Sequence, residues 1–124
     1  NAGGIVQYQM GTQGGSNISL PGGAKVMYGN AEGNNTGLIP SHPILAGTSN
    51  PIVGSNANHC YLTNLPGNAS TIIRTSSSAV PTLVEYEYGS GLVLATGMVV
   101  EHGYLNYPGN AGKVLPNMTA YSTN

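Results

Sequence analysis

Apolar positions come in short runs along this chain, cut by glycine, proline and asparagine, which is the pattern of strands joined by turns. Ile5 to Met10 is the first run, and Ala24 to Tyr28 follows the Pro21-Gly22-Gly23 turn. Gly29 to Gly37 reads as loop. Leu38 to Ala46 holds Pro40 and Pro43, which keep it out of the centre of a sheet. Asn50 to Asn58 is again rich in turn residues; Cys60 to Leu62 and Thr71 to Thr75 read as strands. Thr82 to Tyr88 and Leu92 to Val99 flank Gly89-Ser90-Gly91, so 82–99 is expected to be a β-hairpin with a three-residue loop and a glycine in the left-handed region. On its first strand Val84, Tyr86 and Tyr88 share one face. Leu83, Glu85 and Glu87 share the other, and the two carboxylates predict that this face meets solvent or a partner.

The tail changes period. Val114, Leu115, Met118 and Tyr121 follow helical spacing, Asn110 is placed as an N-cap, and Pro116 fits only near the first turn. One short C-terminal helix is expected near 111–122. The fold class read from these elements is β-rich α+β: a single domain over 1–124 with a mixed β-sheet. Residues 1–15, rich in glycine, read as a flexible or donated N-terminal strand.

Composition narrows the function. Charged residues are 6% of the chain, against roughly 25% in an ordinary soluble domain. Gly, Pro, Asn, Ser and Thr fill half of it, and the formal net charge is -1. Three scattered cations, Lys25, Arg74 and Lys113, cannot replace the counterions of a nucleic acid, so no nucleic-acid partner is expected. The longest greasy run, Leu92 to Val100, is nine residues broken by Thr96 and Gly97, against the about 18 a membrane span needs. The chain begins at Asn1 without a signal peptide and reads as a mature, processed or partial product. A nearly uncharged surface removes the repulsion that keeps copies apart, which favours association.

At the hairpin, Pro81-Thr-Leu-Val-Glu-Tyr-Glu-Tyr-Gly-Ser-Gly-Leu-Val-Leu-Ala-Thr-Gly97 resembles a stretch late in glutamine-amidotransferase-like domains of the trehalose-utilisation type, which also occur in bacterial surface proteins. Asn1-Ala-Gly-Gly-Ile-Val6, His42-Pro43-Ile44, Glu101-His-Gly-Tyr104 and Leu115-Pro-Asn-Met-Thr-Ala-Tyr121 are similar to other pieces of the same family. The resemblance implies the later half of that fold. The βα units that precede the Gly-Gly-Ile-Val strand in the family, and its nucleophile elbow, have no counterpart here, and no G-x-C-x-G surrounds Cys60. A sheet cut there would offer an open edge for strand addition from a neighbouring subunit.

Few residues are available for chemistry. Cys60 follows His59 directly, and neighbours on a strand point to opposite faces, so they form no nucleophile–base pair; Cys60 reads as a buried structural thiol. His42, His59, His102 and Cys60 lack any established zinc spacing, so no metal, cofactor or catalytic set is expected, and His42 reads as a loop histidine bonded to backbone. Asn17-Ile-Ser19, Asn34-Asn-Thr36, Asn68-Ala-Ser70 and Asn117-Met-Thr119 fit the glycan sequon, with Asn17, Asn34 and Asn68 in expected loops and Asn117 in the expected helix.

The leading expectation is therefore a non-enzymatic structural subunit of an extracellular or cell-surface, filamentous homopolymer, joined to itself by strand addition, with glycans as a further partner. Ile5, Val6, Tyr8 and Met10 would form the donated strand, with Tyr86 and Tyr88 adding apolar contact. Two other classes stay open. One is a carbohydrate-binding module whose eight tyrosines stack on sugars. The other is a hydrolase fragment in which Cys60 or Glu85 contributes to a site completed elsewhere.

Overall fold

The computed structural model describes residues 5–9 (backbone), 17–29, 34–55 and 60–122. Among the described residues nine strands run in chain order: β1 (Ile5–Gln9), β2 (Ile18–Ser19), β3 (Lys25–Tyr28), β4 (Asn34–Gly37), β5 (Ile52–Val53), β6 (Cys60–Thr63), β7 (Ser70–Thr75), β8 (Pro81–Tyr88) and β9 (Gly91–Thr96). Two helices follow, α1 (Val100–Asn106) and α2 (Val114–Ser122), and 3-10 turns sit at Pro21–Gly23, Pro43–Leu45 and Ala111–Lys113. This is the β-rich α+β architecture expected from the alternation of short apolar runs.

Six strands form one sheet in the order β1-β9-β8-β7-β4-β5, and β2-β3-β6 form a smaller one. The large sheet is mixed: β1 runs parallel to β9, from Ile5 opposite Leu92 to Gln9 opposite Thr96, and the other pairs are antiparallel. The expected hairpin is β8–β9. Its loop is shorter than expected, because Tyr88 pairs with Gly91 and leaves Gly89 and Ser90 between them. Gly89 takes the left-handed conformation (φ 59°) that lets two residues reverse the chain.

Both faces of the large sheet are covered. On one, Leu83 and Leu94 pack with Ile44, Met98, Val100, Val114 and Met118, so the helices and the Pro43–Leu45 turn lie there. On the other, Val84, Tyr86, Val93 and Ala95 pack with Ala24, Val26, Cys60 and Leu62 of the small sheet. A register shift in β7 between Thr71 and Ile73 breaks the period of two, and Ile72 and Ile73 both enter the helix-side core. Gly97 ends β9 where the sheets meet: a Cβ on it would lie 2.6 Å from the Cys60 carbonyl oxygen.

Three expectations are corrected. Asn34–Gly37 is strand, not loop, because Asn35 is buried on polar partners: it accepts from Thr82 Oγ1 (2.8 Å), and Ser55 Oγ accepts from its backbone N–H (3.1 Å). α1 is a second helix where one, near the C-terminus, was expected. The Leu83–Glu85 face is covered rather than solvated, since α2 lies over it, and only Glu87 beyond it is exposed. The expected tail helix is present as the Ala111–Lys113 turn running into α2, with Pro116 at the third position of α2.

Candidate functional site

A group of polar side chains joins β8, the turn after His42, and α2. Glu85 lies at the part of β8 that α2 crosses, and its side chain is 16% exposed. His42 Nε2 donates to Glu85 Oε1 at 2.7 Å, and the Tyr121 hydroxyl donates to Oε2 at 2.6 Å. The Ile44 N–H donates to His42 Nδ1 at 3.1 Å, so the backbone selects the Nε2–H tautomer of the ring. The rings of His42 and Tyr121 stand 4.9 Å apart at 51°. Asn117, one helical turn before Tyr121, donates its amide to the carbonyls of Ile44 (3.0 Å) and Ala46 (2.8 Å). The Glu85 carboxylate, through its hydrogen bond first, pushes the Tyr121 hydroxyl up to about 12.

This constellation binds chain to chain. A catalytic histidine needs one ring nitrogen on its acid partner and the other facing a substrate or nucleophile. Here the second nitrogen faces the Ile44 N–H. The expected backbone-bonded role of His42 therefore holds, with the Glu85 contact added.

The other candidates are dispersed. Cys60 is buried in the core between the sheets, and burial pushes its thiol up. His102 lies on α1 beside Asn106, and His59 and Met10 fall outside the described residues. Among the described residues, no three His, Cys, Asp or Glu side chains gather to hold a metal ion. No described helix is long and apolar enough to cross a membrane.

The residues assigned to assembly separate. Ile5, Val6 and Tyr8 lie in β1, which pairs with β9 of its own chain instead of standing free. Tyr86 is corrected: it is 1% exposed, covered by the small sheet, and its hydroxyl donates to the Pro21 carbonyl at 2.5 Å. Tyr88, two residues on, is 55% exposed.

Of the sequon asparagines, Asn17 and Asn68 are exposed in connections, Asn34 is exposed at the start of β4, and Asn117 has its amide nitrogen committed to the turn after His42. A sequon pattern carries no sign of that tertiary use of Asn117.

No family model matches the chain. An uncharacterised protein of Clostridium acetobutylicum is 34% identical over 86 residues, which is 68% of this chain and 9% of that protein. The chain thus spans less than a tenth of that relative's length. Among solved structures, a cytoplasmic protein from Salmonella typhimurium is similar in fold, with a TM-score of 0.52 and 18% identity over 86% of this chain and 42% of that one. The extracellular or cell-surface location expected from composition is corrected by this likeness, since the solved neighbour is a cytoplasmic protein. The likeness is one of fold.

Proposed function

We propose that this chain is a non-catalytic structural module that associates with itself by backbone pairing at the β1 edge of its large sheet. The observation that carries this reading is the place of β1. Among the described strands it is the terminal one of a sheet whose two faces are both covered, and its five residues, Ile-Val-Gln-Tyr-Gln, include no charge and no proline. Edges of that kind pair readily with other strands. A net charge of -1 sets little repulsion against a second copy.

The hydrolase alternative draws less support. Cys60 is buried with its thiol pushed up, which disfavours the thiolate a nucleophile needs. Glu85 has a donor on each of its oxygens, and both donors come from this chain.

A proline scan tests the proposal. Successive N–H groups of a strand point to opposite sides, so one of Val6→Pro and Gln7→Pro removes a bond to β9 and the other changes only the outer edge. The outer-edge variant is expected to keep the wild-type melting temperature and lose association in sedimentation velocity. Two well-folded variants that associate like wild type would overturn the proposal.

A further inference from the structure

Arg74 is the chain's one arginine, and it stands in β7, a strand with neighbours on both sides. Its side chain is partly buried. A charge drawn partly out of water is normally matched by an opposite one. Among the described residues no carboxylate pairs with Arg74; the acid of β8 beside β7, Glu85, is committed to His42 and Tyr121. The guanidinium donates from Nη1 to the Thr75 carbonyl at 3.2 Å. That bond fixes the plane of the group and leaves the Nε–Nη2 edge, the one that takes a carboxylate side-on through two parallel bonds.

Two hydroxyls share its face of the sheet. Thr36 of β4 is the direct register partner of Arg74, so the two side chains project together. Ser76 lies two residues beyond Arg74, and its Oγ stands 2.8 Å from Thr36 Oγ1. Two hydroxyls carry two hydrogens, and the contact between them uses one, so the other is left to donate. The backbone holds the group in place: the Ser76 N–H donates to the Asn34 carbonyl at 3.2 Å, and the Thr75 hydroxyl accepts from the Val80 N–H at 2.9 Å.

We propose that Arg74, Thr36 and Ser76 form a binding subsite for a carboxylate, carried by a small organic acid or by an acidic residue of a partner chain. One guanidinium matches the single charge of a carboxylate, whereas a phosphate dianion would be left half-neutralised. The same count that excludes a nucleic acid, one cation here with Lys25 and Lys113 elsewhere, is enough for one carboxylate. The subsite stands independently of the self-association proposed above.

The single arginine makes the test direct, because the full chain has one Arg Nε–H signal in a proton–nitrogen spectrum. Sodium acetate, sodium phosphate and a capped Gly-Glu-Gly peptide are titrated in turn at neutral pH, with sodium chloride holding ionic strength constant. Acetate is expected to move the Arg74 Nε–H signal and the Thr36 and Ser76 amides along one saturating curve. A peptide that binds tighter than acetate assigns the carboxylate to a partner chain, and equal affinities assign it to a small acid. Arg74→Gln is expected to abolish the amide shifts. Thr36→Val is expected to weaken acetate about tenfold, the loss of one hydrogen bond to a charged group. Signals that never saturate, or that saturate with phosphate alone, would overturn the proposal. So would Arg74→Lys and Thr36→Val variants that bind acetate like wild type, since charge without the fork and hydroxyl would then suffice. If Arg74→Gln does not fold, the wild-type Nε–H titration and Thr36→Val decide.

Discussion

Tyr121 and Glu85, 36 positions apart, are joined by a 2.6 Å hydrogen bond from the last turn of α2 to the middle of β8. His42 holds the other oxygen of the same carboxylate, so one side chain of the sheet fastens both the turn and the helix laid over it. The hydroxyl is within reach of a single charged acceptor, and a bond of that kind contributes about 1.5–3 kcal/mol. Tyr121→Phe is expected to lower unfolding stability by about that amount, read from urea midpoints at unchanged slope.

The same bond sets an alkaline limit. The Tyr121 hydroxyl stands at about 12 in the folded chain, against about 10 for a free tyrosine. A group raised on folding contributes stability that is complete below its unfolded value and lost as pH rises towards the folded one. The contribution is therefore intact at neutral pH and fades between about 10 and 12. Burial also raises Tyr86, so the comparison must be made between wild type and Tyr121→Phe. The stability difference between them is expected to shrink across that window. A difference that stays constant would mean the hydrogen bond is absent in solution.

Asn117 closes the other half of the clamp, donating to the carbonyls of Ile44 and Ala46. Asn117→Ala leaves two acceptors of the turn without their donor and is expected to cost about 1–3 kcal/mol. Amide exchange should quicken in the Pro43–Leu45 turn and in α2, and remain slow in the β8–β9 hairpin. Equal acceleration everywhere would show that the clamp does not act locally.

Gly97 tests the contact between the sheets. Its missing Cβ would lie 2.6 Å from the Cys60 carbonyl oxygen and 2.9 Å from its carbon, both backbone atoms that cannot swing away. Gly97→Ala is expected to cost about 1–3 kcal/mol, the range of an overpacked core. A neutral result in thermal unfolding would mean that the small sheet stands further from β9 than described.

Much of this fold is legible where side-chain period and turn chemistry agree. The β8–β9 hairpin, β3, β6, β7 and α2 all carry apolar residues at the right spacing, and Gly89 marks its turn. What escapes the pattern is structure held by polar or absent side chains. β4 is Asn-Asn-Thr-Gly, and its buried Asn35 is satisfied by Thr82 and Ser55 from distant strands. α1 contains Gly103, which a local reading counts against a helix. A Cβ there would lie 3.1 Å from that of Ala111, so the glycine serves the approach of the two segments. The alternation of β8 predicts a Glu85 face that meets solvent or a partner. Only the position of α2, which no short-range pattern encodes, turns that carboxylate into the centre of a clamp.

The measurement that bears most directly on the self-association of β1 is amide-resolved hydrogen exchange over residues 5–9, at concentrations below and above that of association. In a lone edge strand, alternate amides bond to β9 and the rest face water. Association at this edge is expected to slow the outward-facing amides at high concentration while leaving those already bonded to β9 as they were. Outward-facing amides that exchange at the same rate at every concentration, in a sample shown to associate, would contradict the account by placing the contact elsewhere on the molecule.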